Sequence, residues 1–165
     1  MKLLVLSDSH RQIARMKYAV NQTNPDAVIH LGDHISDAIE LQKGMPGIPF
    51  YMVTGNCDPQ SLGKCEMLLT LEGVKILLTH GHEYRVKSSL FSLTERAGEL
   101  GAGLVLFGHT HGAVIRHEQG ITLMNPGQME THKERQRASY GIVSVTDGKF
   151  DCEIVYLPSD MYDEW

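Results

Sequence analysis

The sequence predicts an α/β fold in which two β-sheets pack face to face and helices cover their outer faces. Two observations predict it. Within residues 2–53, apolar runs of strand length alternate with segments of helical spacing, and this β-α-β-α-β order requires parallel strands with covering helices. From residue 104 onward, most apolar runs are short and separated by turn residues, which is typical of strands. Two packed sheets accommodate this number of strands.

The first half of the chain supplies three predicted strands and two predicted helices. Short apolar runs at residues 2–6, 27–31 and 50–53 have the length of buried strands. Apolar residues at helical spacing predict a helix over residues 12–22 and a shorter one over residues 36–42. These elements form the parallel part of the fold.

The second half is richer in strands. Residues 67–71 and 74–78 flank Glu72-Gly73, a two-residue sequence that predicts a hairpin. A helix is predicted over residues 88–100. The remaining predicted strands are residues 104–107, 113–116, 121–124, 140–145 and 150–157, with Asp147-Gly148 as the hairpin turn between the last two.

The composition favours one cytoplasmic domain over residues 1–165. The chain is 42% hydrophobic, which is normal for one domain, and it contains no long linker and no internal repeat. Its N-terminal apolar run covers only Leu3 to Leu6, which is too short for a signal peptide or a membrane span. The chain has three cysteines, Cys57, Cys65 and Cys152. Because their number is odd and their spacing does not suggest pairs, we expect no disulfide framework.

The balance of charged residues restricts the classes of molecule that the chain is expected to bind. With 15 Lys+Arg against 20 Asp+Glu, the formal net charge of -5 argues against a broad electrostatic contact with nucleic acid. If the substrate is an anion, its positive counterpart must be local, such as a bound metal ion. We therefore expect a small substrate, no stable nucleic-acid complex and no membrane partner. A homo-oligomer formed through an exposed strand edge, such as that of residues 67–71, is compatible with the sequence.

Small residues and metal-binding side chains follow five of the predicted strands. Because parallel strands bring their C-terminal ends to one edge of a sheet, we expect these side chains to converge. Carboxylates, an amide and imidazoles form a ligand set for divalent Mn, Fe, Co, Ni or Zn. In chain order, the segments are Asp8-Ser9-His10, Gly32-Asp33, Gly55-Asn56-Cys57-Asp58, His80-Gly81-His82 and Gly108-His109-Thr110-His111.

Taken one at a time, these residues have structural alternatives. Asp8 alone would serve equally well as a helix N-cap. Gly32-Asp33 and Asn56 alone are typical of turns. Their joint occurrence after successive strands favours ligation over all of these.

These five segments, in this order, resemble the motifs of the calcineurin-like metallophosphoesterase superfamily. The resemblance spans about residues 1–127 and includes the turn Asn125-Pro126-Gly127. The Asn-Cys-Asp and His-Gly-His forms are similar to those of the small prokaryotic phosphodiesterases. The resemblance implies a four-layer double β-sandwich (αββα) and hydrolysis of a phosphate ester, most simply a small phosphodiester.

The resemblance also implies a dinuclear metal centre. Two divalent ions, manganese first and nickel, iron, cobalt or zinc as alternatives, would share a hydroxide that attacks phosphorus. Asn56 and Cys57 carry implied catalytic roles, and we expect His82 to face the substrate. The resemblance implies that the first ion is bound by Asp8, His10 and His111. It implies that the second ion is bound by Asn56, His80 and His109, and that Asp33 binds both ions.

Cys57 is a departure from many members of the superfamily, which carry histidine at this position. That histidine is thought to assist the leaving group or orient the phosphate. A thiol is a poorer proton donor and is not cationic, so Cys57 favours substrates with better leaving groups, such as diesters. Gln128 is a second departure, because serine is common there.

The remaining polar residues have mostly structural interpretations. We expect Asp58 to hydrogen-bond a ligand and His30 to pack in the core. His34 follows Asp33 and is expected at the rim of the site. Solvent-exposed positions are expected for His117, His132 and the run Lys133-Glu134-Arg135-Gln136-Arg137, which alternatively could lean towards the site and contact phosphate.

Two other functions compete with the phosphodiesterase. A retromer subunit has the same fold and acts as a non-catalytic protein scaffold, but it lacks several ligand histidines that this chain retains. A nuclease is the other alternative, since larger relatives cut nucleic acid. The acidic balance and the absence of a long basic or aromatic strip count against a nuclease.

Overall fold

The computed structural model describes residues 1–131 and 136–159, and these contain ten strands. All ten predicted strands are present, the first with the predicted bounds and the others with bounds shifted by one or two residues. In chain order the strands are β1 (Lys2–Leu6), β2 (Ala27–His30), β3 (Phe50–Met52), β4 (Glu66–Leu71), β5 (Val74–Thr79), β6 (Leu104–Leu106), β7 (Val114–Glu118), β8 (Ile121–Asn125), β9 (Ser139–Thr146) and β10 (Lys149–Tyr156).

Three α-helices and two short 3₁₀-helices accompany the strands in the described part of the chain. The α-helices are α1 (Ile13–Thr23), α2 (Ile35–Lys43) and α3 (Phe91–Leu100). The 3₁₀-helices, Gln60–Leu62 and His82–Tyr84, were not predicted, because one turn is too short to produce a periodic apolar pattern. Among the described residues, no helix is long and apolar enough to cross a membrane.

The helix predicted from residue 88 begins later, at Phe91. Residues 88 and 89 form a turn instead, in which the N–H of Ser88 donates to the carbonyl of Arg85 at 2.9 Å. The Ser89 hydroxyl then accepts the N–H of Phe91 at 3.0 Å. A serine side chain that accepts this backbone donor favours a turn before the helix over a longer helix.

The strands form two five-stranded sheets. The first has the order β10-β9-β1-β2-β3, and the second has the order β4-β5-β6-β8-β7. Each sheet contains three parallel strands, namely β1, β2 and β3 in the first sheet and β5, β6 and β8 in the second. The five predicted segments follow β1, β2, β3, β5 and β6. The carboxyl ends of these strands therefore share one edge in each sheet.

Alternate side chains of each strand face different layers, which confirms the double β-sandwich. Leu3 and Val5 of β1 pack with Ile76 and Leu78 of β5 in the core between the sheets. The intervening Leu4 and Leu6 pack on the other face with residues of α1 and α2. On the far side, Leu77 packs with residues of α3. The layers are thus helices, sheet, sheet and helix, and burial of both faces explains why these strands are apolar throughout.

Loops from the two sheets meet at the shared edge. The N–H of Asp8, after β1, donates to the carbonyl of Gly32, after β2, at 3.0 Å. The N–H of His109, after β6, donates to the Asp8 carboxylate at 3.2 Å. The N–H of Gly108 donates to the carbonyl of His80, after β5, at 3.0 Å. Four strand ends are therefore tied together by hydrogen bonds.

Gly55 is required where the loops after β2 and β3 cross. A Cβ atom added to Gly55 would lie 2.2 Å from the Asp33 Oδ1 atom and 2.6 Å from the Asp33 backbone nitrogen. Backbone atoms cannot move aside as a flexible side chain can, so any larger residue would push the two loops apart.

We expect Gly55→Ala to lower the free energy of unfolding by about 1–3 kcal/mol, the usual cost of overpacking a close contact. Gly47→Ala is the matched control, because a Cβ atom there meets nothing within 4 Å. We expect the control to change stability by no more than about 0.5 kcal/mol. Urea unfolding in the presence of a chelator measures both, and equal stability of the two variants would contradict the crossing contact.

Candidate metal centre

Side chains from the loops after β1, β2, β5 and β6 converge at the shared edge. Two groups of potential ligands form there, and within each group the ligand atoms lie within 4.8 Å of one another. One group is Asp8, His10 and His111, and the other is Asp8, Asp33 and His80. Asp8 belongs to both groups, so residues separated by up to about a hundred positions in sequence gather around a single buried carboxylate.

The Asp8 carboxylate is fully buried, but only one of its two oxygen atoms accepts hydrogen bonds among the described residues. Its Oδ2 atom accepts hydrogen bonds from the Ser7 hydroxyl at 2.6 Å and the His109 N–H at 3.2 Å. Its Oδ1 atom has no hydrogen-bond partner among the described residues. The Nε2 atoms of His111 and His80 lie 3.2 and 3.9 Å from this oxygen without hydrogen-bond geometry. Oxygen and nitrogen thus face a common point, as ligands of a cation do.

The tautomer of His80 is fixed by its second ring nitrogen. The Nδ1 atom lies 2.7 Å from the carbonyl of Leu31, a pure acceptor, so Nδ1 carries the proton and donates. When the ring is neutral, the Nε2 atom presents a lone pair to the site, where it lies 3.5 Å from the Asp33 Oδ2 atom. This is the arrangement in which metal-binding histidines are usually held.

His10 also brings a buried nitrogen without a partner. Its Nε2 atom has no hydrogen bond among the described residues, and its ring centroid lies 5.4 Å from that of His111. Unpartnered buried polar atoms are rare in native proteins and each one calls for an explanation. Asp8 and His10 belong to one group, and Asp8 and His80 belong to the other, so a divalent cation at each group would satisfy these unpartnered atoms.

The electrostatics of the two carboxylates favour bound cations. Burial alone would raise the pKa of Asp33, but contact with His80 and the N–H of Cys57 hold that pKa well below its usual range. Burial likewise opposes ionisation of Asp8, yet His111, His80 and Ser7 lower its pKa. Two ionised carboxylates at a buried edge carry a large desolvation cost unless positive charge compensates them.

The site shifts the pKa values of its histidines in different directions. Burial lowers the pKa of His80, but the carboxylates of Asp33 and Asp8 outweigh it and raise the pKa above its usual value. Burial, together with the positive charges of His80 and Lys87, lowers the pKa of His109 to about 4. Burial and His80 also lower the pKa of His82. A lowered pKa favours the neutral imidazole at neutral pH, and the neutral imidazole is the form that binds metals, as expected of His109.

The backbone turns sharply at most of the convergent residues. Asp8, His10, Asp33, His109 and His111 all have φ between 44° and 70°, the left-handed region. Such conformations are uncommon outside glycine and cost about 1 kcal/mol or more each. Their concentration in one cluster is typical of functional sites, where the surrounding structure enforces the strain.

Asp58 holds the loops that carry Asp33. Its carboxylate accepts the backbone N–H groups of Asp33 and Gly55, both at 2.8 Å, and that of Ile35 at 3.0 Å. The sequence predicted that Asp58 hydrogen-bonds a ligand, and in the structure its carboxylate accepts the backbone N–H of Asp33, one of the expected ligands. Three charge-assisted hydrogen bonds fix the position from which the Asp33 side chain enters the site.

His30 is fully buried, as predicted for a core histidine, but it is also part of a polar relay. Its Nδ1 atom accepts the N–H of Gly32 at 3.2 Å, so Nε2 carries the proton and donates to the Ser9 hydroxyl at 3.0 Å. Ser9 donates in turn to Asp37 at 2.8 Å, and Asp37 also accepts the N–H of Arg11 at 2.8 Å. The relay holds the loop that carries Asp8 and His10.

Sequence reasoning missed Ser9 and Asp37. Asp37 lies in the first turn of α2, where acidic residues are ordinary, and only the tertiary structure brings it to the loop after β1. The turn Asn125-Pro126-Gly127 has a similar role on the opposite side. The Asn125 amide donates to the carbonyl of Gly108 at 3.0 Å and the Thr110 hydroxyl at 2.9 Å, which holds the loop that carries His109 and His111.

The other predicted site residues lie at the margin of the cluster. Asn56 is exposed, and its amide nitrogen lies 3.5 Å from the Cys57 sulfur. The Cys57 N–H donates to Asp33 at 3.0 Å, while burial and the charge of Asp33 raise the pKa of its thiol. The His82 Nδ1 atom is buried without a hydrogen-bond partner among the described residues. His109 lies outside both groups, with its ring 5.1 Å from that of His80.

The remaining histidines and the basic run are placed as follows. The His34 ring lies 4.8 Å from that of His10, at the rim where it was expected. His117 is exposed, as predicted, and its Nδ1 atom lies 3.1 Å from the Thr122 hydroxyl. His132 and the first three residues of the run at 133–137 lie outside the described residues. Gln128 is fully buried, and its amide donates to Gln136 at 2.8 Å.

Comparison with known proteins agrees with this geometry. Residues 1–148 match the family model described as the calcineurin-like phosphoesterase superfamily domain. A probable metallophosphoesterase of Bacillus subtilis is 36% identical over 148 residues, which cover 88% of this chain and 85% of the relative. A phosphodiesterase of Methanocaldococcus jannaschii is 25% identical over 150 residues, which cover 78% of this chain and 84% of the relative.

A solved structure has the same fold. The crystal structure of a conserved uncharacterized protein from Streptococcus pneumoniae, a predicted phosphoesterase, superimposes with a TM-score of 0.76 at 25% identity. The superposition covers 94% of this chain and 88% of that one. The family match spans most of the sequence and includes every loop that contributes to the cluster. The chain therefore belongs to the calcineurin-like phosphoesterase superfamily.

Proposed function

We propose that the chain is a metal-dependent phosphodiesterase whose two metal positions share the loops after β1, β2, β5 and β6. The observation that carries the proposal is the Asp8 Oδ1 atom, which is buried, has no hydrogen-bond partner among the described residues, and belongs to both ligand groups. Two divalent cations bound there would polarise a phosphoryl group and activate water for in-line attack on phosphorus.

The ligand assignment combines the two groups with the family resemblance. Asp8, His10 and His111 form the first position, and their grouping supports it. His80 is assigned to the second position, and the resemblance adds Asn56 and His109, whose ring lies 5.1 Å from that of His80. Asp33 is assigned to both positions from the family resemblance, whereas Asp8 is the residue that belongs to both groups. The Asp33 Oδ2 atom lies 3.5 Å from the His80 Nε2 atom, and its Oδ1 atom accepts the N–H of Cys57.

The donor set suits manganese. Carboxylate and amide oxygens with imidazoles, and no thiolate in either group, match a borderline or hard divalent ion. Manganese is therefore favoured, with iron, cobalt, nickel and zinc as alternatives that cellular availability would decide.

Cys57 supports a diester over a monoester. Its thiol is kept protonated, because burial and the negative charge of Asp33 raise its pKa. A neutral thiol offers no positive charge to the dianion of a monoester and is a weak proton donor for a basic leaving group. The relative named as a phosphodiesterase is consistent with this preference.

Two observations favour an enzyme over the two alternatives. A scaffold has no need of fixed imidazole tautomers or of unpartnered ligand atoms, and both are present at this edge. A nuclease would require a basic surface, and the formal net charge is -5. Cleavage of single-stranded oligonucleotides with added manganese would reopen the second alternative.

Removal of metal should abolish activity. We expect the protein to hydrolyse bis(p-nitrophenyl) phosphate with manganese, and to fall to the uncatalysed rate after treatment with a chelator. Activity should return when metal is restored, which separates metal loss from unfolding. Chelated protein that works as fast as metal-loaded protein would refute the proposal.

Asp33→Ala should lower the metal content from two equivalents to less than one, because the carboxylate is assigned to both positions. Elemental analysis after dialysis measures this. Asp151→Ala removes one negative charge from the exposed face of β10 and is the matched control, for which we expect two equivalents. If Asp33→Ala retained one full equivalent while Asp8→Asn retained none, Asp8 would be the shared ligand instead.

Cys57→His should raise the ratio of monoester to diester turnover roughly ten- to a hundredfold, because an imidazole is a better proton donor and can carry positive charge. The ratio of kcat/KM for p-nitrophenyl phosphate and bis(p-nitrophenyl) phosphate measures the effect. Cys57→Ala, which introduces no proton donor, should leave the ratio near that of the native protein. An unchanged ratio in Cys57→His would show that position 57 does not set the preference.

A further inference from the structure

A cavity of about 310 Å³ opens directly beside the candidate metal centre. One of its walls is His111, whose Nε2 atom lies 3.2 Å from Asp8, so the cavity and the ligand cluster share a side chain. A group attached to a phosphate held by the cluster can therefore extend into this space. The cavity is lined by His111, Gly112, Ala113, Gln136, Arg137 and Tyr156.

Arg137 and Tyr156 form a cation-π pair on the wall of the cavity. The guanidinium carbon of Arg137 lies 5.2 Å from the centroid of the Tyr156 ring, within the range of a cation-π contact. The Arg137 Nη2 atom donates to the carbonyl of Leu157 at 3.2 Å, which restricts the guanidinium further. Tyr156 remains 47% exposed, so a flat, partly charged surface faces the solvent.

The cavity wall is rich in hydrogen-bond donors. Arg137 has five N–H donors, and Gln136 has its amide NH₂ group, since its Oε1 atom already accepts a hydrogen bond from the buried Gln128. None of the six lining residues carries a carboxylate, although the whole chain has a formal net charge of -5. Such a wall favours a ligand with several acceptor atoms.

The volume of the cavity limits the size of the ligand that it can hold. Binding pockets for small molecules span about 300–1,000 Å³, so this cavity lies at the lower end of the range. It has room for a single ring system, and a nucleotide chain would exceed it.

We propose that this cavity binds the organic group of the phosphate ester and selects a flat ring that carries acceptor atoms, such as a nucleobase. The guanidinium plane of Arg137 and the Tyr156 ring provide stacking surfaces, while Arg137 and Gln136 donate to carbonyl oxygens or ring nitrogens. This inference rests on the proposed phosphodiesterase function and adds the class of substrate.

The first test compares two chromogenic diesters that differ only in this group. Thymidine 5′-(p-nitrophenyl phosphate) carries a nucleobase, whereas methyl p-nitrophenyl phosphate does not. We expect the native, manganese-loaded protein to prefer the thymidine ester in kcat/KM. Arg137→Gln should reduce that preference about tenfold, mainly through KM, since stacking and donor contacts of this kind contribute roughly one such factor per base.

Lys149→Gln is the charge-matched control. Lys149 begins β10 and Tyr156 ends it, so the two lie about 23 Å apart along the strand. We expect this variant to retain the native preference. An equal loss in both variants would mean that general charge, not the cavity, attracts the substrate. An unchanged preference in Arg137→Gln and in Tyr156→Ala would overturn the proposal.

A second measurement does not depend on turnover. In NMR spectra of the zinc-loaded full chain, thymidine 5′-monophosphate should shift the amide signals of Gly112 and Ala113, and Arg137→Gln should weaken these shifts. Shifts that are absent there, or unchanged in the variant, would refute the cavity assignment. If no phosphodiester were hydrolysed with any metal, the proposed activity would fail while the NMR result still decided whether the cavity binds nucleotides.

Discussion

The Asp8 carboxylate is the group on which the site depends. Its backbone N–H donates to Gly32 at 3.0 Å, and its carbonyl accepts the N–H of Met129 at 3.4 Å. Its Oδ2 atom accepts the N–H of His109, so this one residue joins loops from both sheets. Because the carboxylate is fully buried, its Oδ1 atom would lose the solvation of an ionised oxygen without gaining a partner, which costs several kcal/mol. A bound cation removes that cost, and this links the stability of the junction between the sheets to occupation of the site.

The surrounding loops are held in place independently of any cation. Asp58 fixes the backbone of Asp33, the His30–Ser9–Asp37 relay fixes the loop after β1, and Asn125 fixes the loop after β6. Left-handed backbone conformations at the ligand positions persist because these contacts enforce them. A site arranged in this way loses little conformational freedom when ions and substrate bind, and supporting hydrogen bonds of this kind typically change metal affinity ten- to a hundredfold.

Much of this arrangement could be predicted from the sequence, because five of the strands are apolar runs that are followed at once by a polar, metal-binding segment. That pattern locates the strands, and their parallel order implies that Asp8, Asp33 and His80 meet. Strand pairing could not be predicted in the second sheet, where β6 pairs with β8 and not with its successor β7. Apolar runs contain no information on which neighbour a strand chooses. Ser9, Asp37 and the Arg137–Tyr156 pair were missed for a related reason, since their contacts form between segments that are distant in sequence.

The acidic composition and the proposed anionic substrate are compatible because electrostatic selection acts over short distances. At physiological ionic strength the Debye length is about 8 Å, so exposed carboxylates on the far faces of the sheets are screened from the site. Within that distance the relevant charges are the buried carboxylates, the cations they would bind, and the cavity wall, where Arg137 provides positive charge and no lining residue is acidic. The net charge therefore argues against extended nucleic acids, which contact a wide surface, and leaves open a single nucleotide ester that touches only the cluster and the adjoining cavity.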